Sequence, residues 1–444
     1  MKHVTPAFAA LCAVLVAATP ALAADRQPAH AVSYGTKAPY QPRQNPASYS
    51  KAPAGFTPVF TENVSRHGSR AATDSSDGDL ILALWDKAAA SGQLTGKGEE
   101  FGPKVRALLA AMAKVGYGNL SGRGREEMRD TADRMAARLP GLFGEIAASG
   151  EKIDVVSSGQ GRAVDSANEY AGELAAKDPA LKPLIGATRT DKDLLYFHKS
   201  AGGKAYQEYL ANDQRLAATL KSITDQPKTQ RAAVGVLRKI FKQGFVNGLS
   251  AADQVAAAEA VYNLYAIAPA MIKESPGGRG WGLERYISRT DAAWFGYLGD
   301  AEDFYEKGPG FSDSDITYKM ANVLLDDFFN QVESKRSGTS TLGAELRFTH
   351  AEEIIPLAAL MGLPESTKPA TPGVSYTYDN NPWRGADVSP LGANIQWDVY
   401  RKGTQYLVRM LYNEKEIPFK AGCKPVAKNS KFYDFKELQR CFGR

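Results

Sequence analysis

"TPVFTENVSRHGSR", residues 57–70, runs a β-branched, extended stretch straight into a histidine set between two arginines. Thr57 to Val64 reads as a strand, and the polar residues begin where it ends. Two guanidinium groups beside an imidazole repel one another, so the cluster calls for an anion. Working outward, the same grammar recurs twice. Ile153-Asp154-Val155-Val156-Ser157 is a short apolar strand followed by a Ser-Gly turn and Arg162. Glu345-Leu346-Arg347-Phe348-Thr349 is a strand followed by His350, Ala351 and Glu352. In open α/β sheets ligands sit at the carboxyl ends of strands. Three strand ends carrying unusual polar residues therefore point to one edge.

The stretches between supply the rest of the architecture. Val105, Leu108, Leu109, Met112 and Val115 share a helical face that Gly116 ends. Met128, Ala132, Met135 and Leu139 repeat the pattern, stopped by Pro140. From about 165 to 335 helices follow one another with no convincing strand. The clearest are 250–270 and the Ile316, Met320, Leu324, Phe328, Val332 series. Residues 394–400 and 405–411 read as an antiparallel hairpin around Arg401-Lys402-Gly403-Thr404. The pattern predicts an α/β fold: a mixed-sheet, three-layer α/β domain over 56–165 and 336–444, with an inserted all-helical cap domain over 166–335. Residues 24–55, rich in Pro, Gln, Ser and Ala without a hydrophobic period, are expected to form a poorly ordered arm.

Bulk properties bound the function. The 444 residues are 43% hydrophobic and 23% charged, with a net charge of +5. That charge is too small to indicate nucleic-acid binding and suits a small anionic substrate. Residues 1–23 have the form of a secretory signal peptide: Lys2 and His3, an apolar run from Phe8 to Ala18, then Ala21-Leu22-Ala23. The run is too short to span a membrane, and no later stretch is read as a transmembrane helix. The expected location is periplasmic or secreted, with no membrane attachment after cleavage. In an oxidising compartment the remaining cysteines, Cys423 and Cys441, would form one disulfide worth about 3 kcal/mol; two free buried thiols are the alternative. The spacing offers no metal motif.

Chemically, Arg66, Arg70 and Arg162 are forked donors suited to phosphate oxygens. Of five histidines, only His67, His198 and His350 fall in the folded part, and two of them stand at strand ends. An imidazole can accept a phosphoryl group without a metal if arginines take up the charge. An alcohol leaving group needs a proton, which Glu352 can supply. His198, beside Tyr196 and Phe197, reads as a structural histidine near the domain junction. Asn413 and Glu414 read as turn residues.

"RHGSR" (66–70) resembles the Arg-His-Gly-x-Arg signature of the histidine acid phosphatases, clade 2 of the histidine phosphatase superfamily. "SSGQGRAVDSA" (157–167) resembles their second block. "ELRFTHAEEIIPLAALMGL" (345–363) is similar to their C-terminal block, in the His-Ala-Glu form of the multiple inositol-polyphosphate phosphatase branch. "LLYFHKSAGGKAYQEY", "DAEDFYEKGPG" and "YLVRMLYNEKEIPF" also resemble that branch. The resemblance implies that His67 is the nucleophile and forms a phosphohistidine. Arg66, Arg70, Arg162 and His350 would bind the phosphate, and Glu352 would protonate the leaving oxygen and then activate water. It implies no cofactor and no metal. Lys307, after "DFYE" and flanked by Gly308 and Gly310, reads first as a solvated lysine, with reach to a polyphosphate from the helical roof as the alternative. One departure bears on loop rigidity: Ala72 stands where the signature usually has proline. The expected substrate is an inositol polyphosphate such as phytate. The alternatives are a general acid phosphatase, a bisphosphoglycerate or sugar-phosphate phosphatase, and a non-catalytic phosphate-binding protein. Oligomeric state is left open.

Overall fold

A computed structural model describes residues 33–444; the signal-like segment lies outside the described residues. The strands are β1 (Thr57–Arg66), β2 (Lys152–Ser157), β3 (Arg189–Thr190), β4 (Leu342–Thr349), β5 (Asn394–Lys402), β6 (Gln405–Tyr412), β7 (Lys415–Ile417) and β8 (Phe432–Asp434). The helices used below are α1 (Ser76–Ala90), α2 (Phe101–Val115), α3 (Gly122–Arg138), α4 (Pro140–Ser149), α5 (Gly161–Lys177), α6 (Ala251–Ile267), α7 (Arg289–Glu306), α8 (Asn322–Ser337) and α9 (Ala351–Met361). The sheet order is β3-β2-β4-β1-β5-β6-β7, with β8 on β6. β1, β2 and β4 are parallel neighbours, and β5 begins the antiparallel half. The carboxyl ends of β1, β2 and β4 therefore open on one edge.

Side chains alternate across the sheet, which puts a core on each face. Ala344, Leu346 and Phe348 of β4 pack with Met128, Met135 and Leu142 of the α3–α4 layer and with Tyr170 of α5. On the opposite face Phe60, Val64, Ile395 and Trp397 meet Phe328 and Phe329 of α8 and Ile354 and Leu357 of α9. Phe328 and Phe329 both stand edge-on to Trp397 with centroids 5.2 Å apart. Such contacts are worth roughly 0.5–1.5 kcal/mol each beyond area burial. The same alternation places Arg347 on this second face. It meets Glu62 at 2.9 Å, Glu345 at 3.3 Å and Asp327 at 2.5 Å.

Several expectations are corrected. The arm is packed rather than loose from Ser33 onward. Tyr40 is buried and bonds Glu414 Oε2 at 2.9 Å, Leu391 N–H donates to Ala38 O at 2.9 Å, and Ser50 N–H donates to Glu416. Specific hydrogen bonds hold it, and these leave no hydrophobic period to read. Within the stretch read as wholly helical, β3 adds two residues to the sheet edge. The 165/166 boundary falls inside α5, which packs on β2 and β4, while α1 packs on α6 of the insertion. Ala251–Glu274 is long and apolar enough to cross a membrane by length and composition, and most of it is buried in the protein. As expected from the sequence, Cys423 and Cys441 are joined in a disulfide, with Cα atoms 5.3 Å apart.

Candidate active site

β1 delivers His67 to the edge, and its neighbours lock the backbone there. Arg66 N–H donates to Ala393 O at 2.7 Å and His67 N–H to Thr349 O at 2.9 Å. The imidazole Nδ1 lies 3.0 Å from Gly68 O. A carbonyl only accepts, so Nδ1 carries the proton and Nε2 keeps its lone pair. Burial, then the Arg66 charge and the neighbouring His350, Arg70 and Arg162, hold His67 well below the ordinary histidine range. The ring is therefore a neutral nucleophile with a defined attacking nitrogen.

The loop after His67 is rigid without a proline. Ser69 N–H and Oγ–H donate to the buried Glu127 carboxylate at 2.8 and 2.9 Å. Ser121 N–H donates to Ser69 O at 3.0 Å, Ala71 N–H to Asn119 O at 3.0 Å and Gly118 N–H to Ala72 O at 2.7 Å. Gly68 N–H donates to Ser166 Oγ at 3.2 Å. The loop lies directly on α3: a Cβ on Gly68 would sit 2.5 Å from Gly124 O. Only glycines allow that approach.

Three guanidinium groups surround the ring, and none is matched by a carboxylate ion pair among the described residues. Arg66 Nη1 donates to Thr36 O and Ser389 O, both at 2.6 Å. Arg70 Nη1 donates to Ala71 O at 2.8 Å. The Nε atoms of Arg66, Arg70 and Arg162 are buried with no partner. Burial pulls Arg66 down to about 10 against the pull of Glu352. Burial, then repulsion from Arg162 and Arg66, pulls Arg70 to about 10. Unspent donors in a cationic, desolvated cluster are the conditions for binding a phosphate.

His350, at the end of β4, stands 5.4 Å from His67 between ring centroids. Its Nε2 is 2.8 Å from Ser158 Oγ, which accepts from Gln160 N–H. The Ser158 proton is thus free for Nε2, leaving Nδ1–H, buried and unpartnered, as a further donor. Burial and then Arg162 lower His350 to about 3, so it stays neutral.

Glu352 sits in the first turn of α9. Burial alone would raise its carboxyl, but the Lys307 ammonium, then His198 and the helix backbone, bring it to about 2. Lys307 is no solvated lysine. Its Nζ bonds Asp303 Oδ1 at 2.8 Å with the side chain 12% exposed. Burial would lower it, yet Asp303 and Glu352 raise it. His198 is buried and bonds Glu353. Asn413 and Glu414 do turn the chain, with φ of 49° and 58°. Glu414 is also fully buried against Arg134 at 2.8 Å. Among the described residues no group of three or more His, Cys, Asp or Glu is placed to hold a metal ion.

The site residues singled out in the sequence thus meet at one edge. Those missed are the supports: Glu127, Ser158, Ser166 and the Thr36 carbonyl. Ser158 and Ser166 stood inside a quoted motif. Glu127 carried only the mark of a polar residue on an otherwise apolar helix face, and Thr36 carried none.

Residues 60–413 match the model of the histidine phosphatase superfamily (branch 2). The multiple inositol polyphosphate phosphatase of Bifidobacterium longum, solved in complex with inositol hexasulfate, is 33% identical with a TM-score of 0.86. That match covers 92% of this chain and 97% of that one. Multiple inositol polyphosphate phosphatase 1 of Gallus gallus is 25% identical over 431 residues, covering 89% of this chain and 88% of that protein. The protein of the same name from Homo sapiens is 26% identical over 394 residues, covering 82% and 75%. With a neutral histidine inside an unpaired arginine cluster and these relatives along nearly its whole described length, the chain belongs to the histidine phosphatase superfamily, branch 2, in the family of multiple inositol polyphosphate phosphatases.

Proposed function

We propose that the protein removes phosphate from inositol polyphosphates, phytate among them, through a phosphohistidine on His67. The observation that carries this reading is the Nδ1–H bond to Gly68 O, which frees His67 Nε2 amid Arg66, Arg70, Arg162 and His350. Nε2 attacks phosphorus as the bond to the inositol oxygen breaks. The arginines and His350 Nδ1–H hold the equatorial oxygens. Glu352 gives its proton to the departing oxygen, then takes one from the water that attacks the phosphohistidine and releases inorganic phosphate. A polyanion beside Lys307 offsets the ammonium that keeps Glu352 ionised, so the carboxyl gains its proton as substrate binds. Lys307 itself would contact a neighbouring phosphate. This chemistry favours an acidic-to-neutral optimum.

The test is phosphate release from inositol hexakisphosphate, with His67→Ala as the control and acid-quench trapping of phosphohistidine. Release from simple monoesters but not from inositol hexakisphosphate would keep the reaction and discard the substrate. Failure to trap the intermediate would favour a phosphate-binding protein. The reading extends to an exported protein, periplasmic or secreted. The Cys423–Cys441 disulfide supports it, and cell fractionation tests it.

A further inference from the structure

Asp303 stands in the last turn of α7, and its two carboxylate oxygens serve different segments. Oδ1 accepts from Lys307 Nζ at 2.8 Å, and Oδ2 accepts from Thr36 Oγ1–H at 3.1 Å. Thr36 belongs to the turn Gly35–Lys37, 267 positions away in the chain. Its carbonyl takes Arg66 Nη1–H at 2.6 Å. An unbroken chain of hydrogen bonds therefore runs from Arg66 through Thr36 and Asp303 to Lys307. Both ends are cations with donors to spare. Arg66 Nε is buried and unpartnered. The Lys307 ammonium has three N–H groups, of which the Asp303 bond uses one.

The link sets the position of both ends. On one side the turn is wedged: a Cβ on Gly35 would sit 3.1 Å from Asp300 Oδ1, and one on Gly385 would sit 2.8 Å from Thr36 Cγ2. On the other side Thr36 and Asp303 line a cavity of about 420 Å³. Packing buttresses the turn from one side only, so the bond to Asp303 decides where Thr36 lies on the other. Lys307 is fixed at its base, where its N–H donates to Asp303 O at 3.0 Å. Its four-carbon stem is flexible, and Asp303 Oδ1 holds the tip.

We propose that Asp303 is a positioning residue that sets the spacing between Arg66 and Lys307, and so selects which ring phosphate of an inositol polyphosphate is presented to His67. The inference rests on the reading of Lys307 as the contact for a phosphate beside the one removed. A carboxylate that only neutralised Lys307 would need no bond to Thr36. What distinguishes Asp303 is its second oxygen, which joins the lysine to the turn that holds Arg66. An inositol polyphosphate carries several similar phosphates on one ring. Two anchors held at one separation accept only the orientations that place two phosphates at that separation. Anchors free to move accept more orientations, bind each less firmly and bring more ring positions to the nucleophile.

The experiment is the time course of inositol pentakisphosphate isomers formed from inositol hexakisphosphate, read with kcat and KM on that substrate and on an aryl monophosphate. Asp303→Ala lets both anchors move. More pentakisphosphate isomers appear, and KM for inositol hexakisphosphate rises about tenfold, the scale of one hydrogen bond to a charged group. Arg66 keeps its bond to Ser389 O, so kcat and the KM of the aryl ester change less. Asp303→Asn tests geometry against charge. Its amide oxygen can accept from Lys307 and its NH2 can donate to Thr36 Oγ1, which also accepts, so the wild-type isomer distribution returns. Thr36→Val keeps the carbonyl for Arg66 and cuts only the bond to Asp303. It broadens the distribution and adds nothing further when combined with Asp303→Ala. An unchanged distribution in Asp303→Ala or in Thr36→Val overturns the proposal, as does an Asp303→Asn enzyme that behaves as Asp303→Ala does. Should Asp303→Ala not fold, Thr36→Val decides. Lys307→Met separates the two levels. If it changes both substrates equally, the reading of Lys307 fails and the spacing role with it. If it raises KM selectively for inositol hexakisphosphate while Asp303→Ala leaves the isomers unchanged, only the spacing role fails.

Discussion

Glu127→Gln tests whether the nucleophile loop is held by a carboxylate clamp rather than by its own sequence. Glu127 accepts from Ser69 N–H at 2.8 Å, Ser69 Oγ–H at 2.9 Å, Arg123 Nε–H at 3.1 Å and Tyr40 N–H at 3.2 Å. Both oxygens are used. The amide of glutamine retains one acceptor and turns an NH2 toward a donor on the other side. At least one buried backbone N–H then loses its partner, at about 1–3 kcal/mol. Loss of the charge weakens the remaining bonds, which are about twice as strong to a carboxylate as to a neutral group. The expected loss of stability is about 2–4 kcal/mol. Because Ser69 is two residues from His67, the loop shifts the attacking nitrogen, and a displacement near 1 Å costs about a hundredfold in rate. Arg66, Arg162 and His350 are held by other elements, so KM changes far less than kcat. Urea unfolding and steady-state kinetics on one preparation measure both. A variant that loses this stability yet keeps wild-type kcat would refute the clamp and leave the loop rigid for another reason.

Three further outcomes are expected. His67 is held well below the ordinary histidine value of about 6.5 in the fold, so the unfolded chain takes the proton first as pH falls. Its contribution to stability is present above about 6.5 and lost below it, at up to about 1.4 kcal/mol per pH unit. The stability gained in His67→Gln should therefore be larger at pH 5 than at pH 8 in paired thermal melts. Arg347→Leu leaves Glu62 buried without its cation and Glu345 with only Arg189 at 3.7 Å, and chemical denaturation should show a loss of about 3–5 kcal/mol. Lys307→Met should raise KM for inositol hexakisphosphate more than for a singly phosphorylated aryl ester, because the ammonium acts on Glu352 and, on the proposed reading, contacts a neighbouring phosphate. Equal changes for both would place Lys307 outside the substrate's reach.

The catalytic grammar was legible because it is local. Arg66 and His67 stand at the end of β1, Arg162 follows β2, and His350 and Glu352 follow β4, so once the strands are parallel neighbours the residues must meet. Hydrophobic alternation exposes such strands, and turn residues mark their ends. The supports were not legible because each joins residues far apart in the chain for reasons unrelated to periodicity. Glu127 reaches Ser69 across 58 positions, the Thr36 carbonyl reaches Arg66 across 30, and Glu353 reaches His198 across 155. The 33–55 segment shows the same limit. Its order comes from Tyr40 on Glu414 and Ser50 on Glu416, contacts that exist only once β6 and β7 are in place.

By itself, then, the sequence determined the chemistry: which side chains carry charge, a lone pair or a proton, and which strand ends present them. Only the tertiary structure decided the protonation states and the rigidity. Whether His67 is neutral, Glu352 ionised or Ala72 harmless depends on burial and on neighbours from distant segments. Electrostatic energy depends on distance in space and on exclusion of water, and neither is written along the chain.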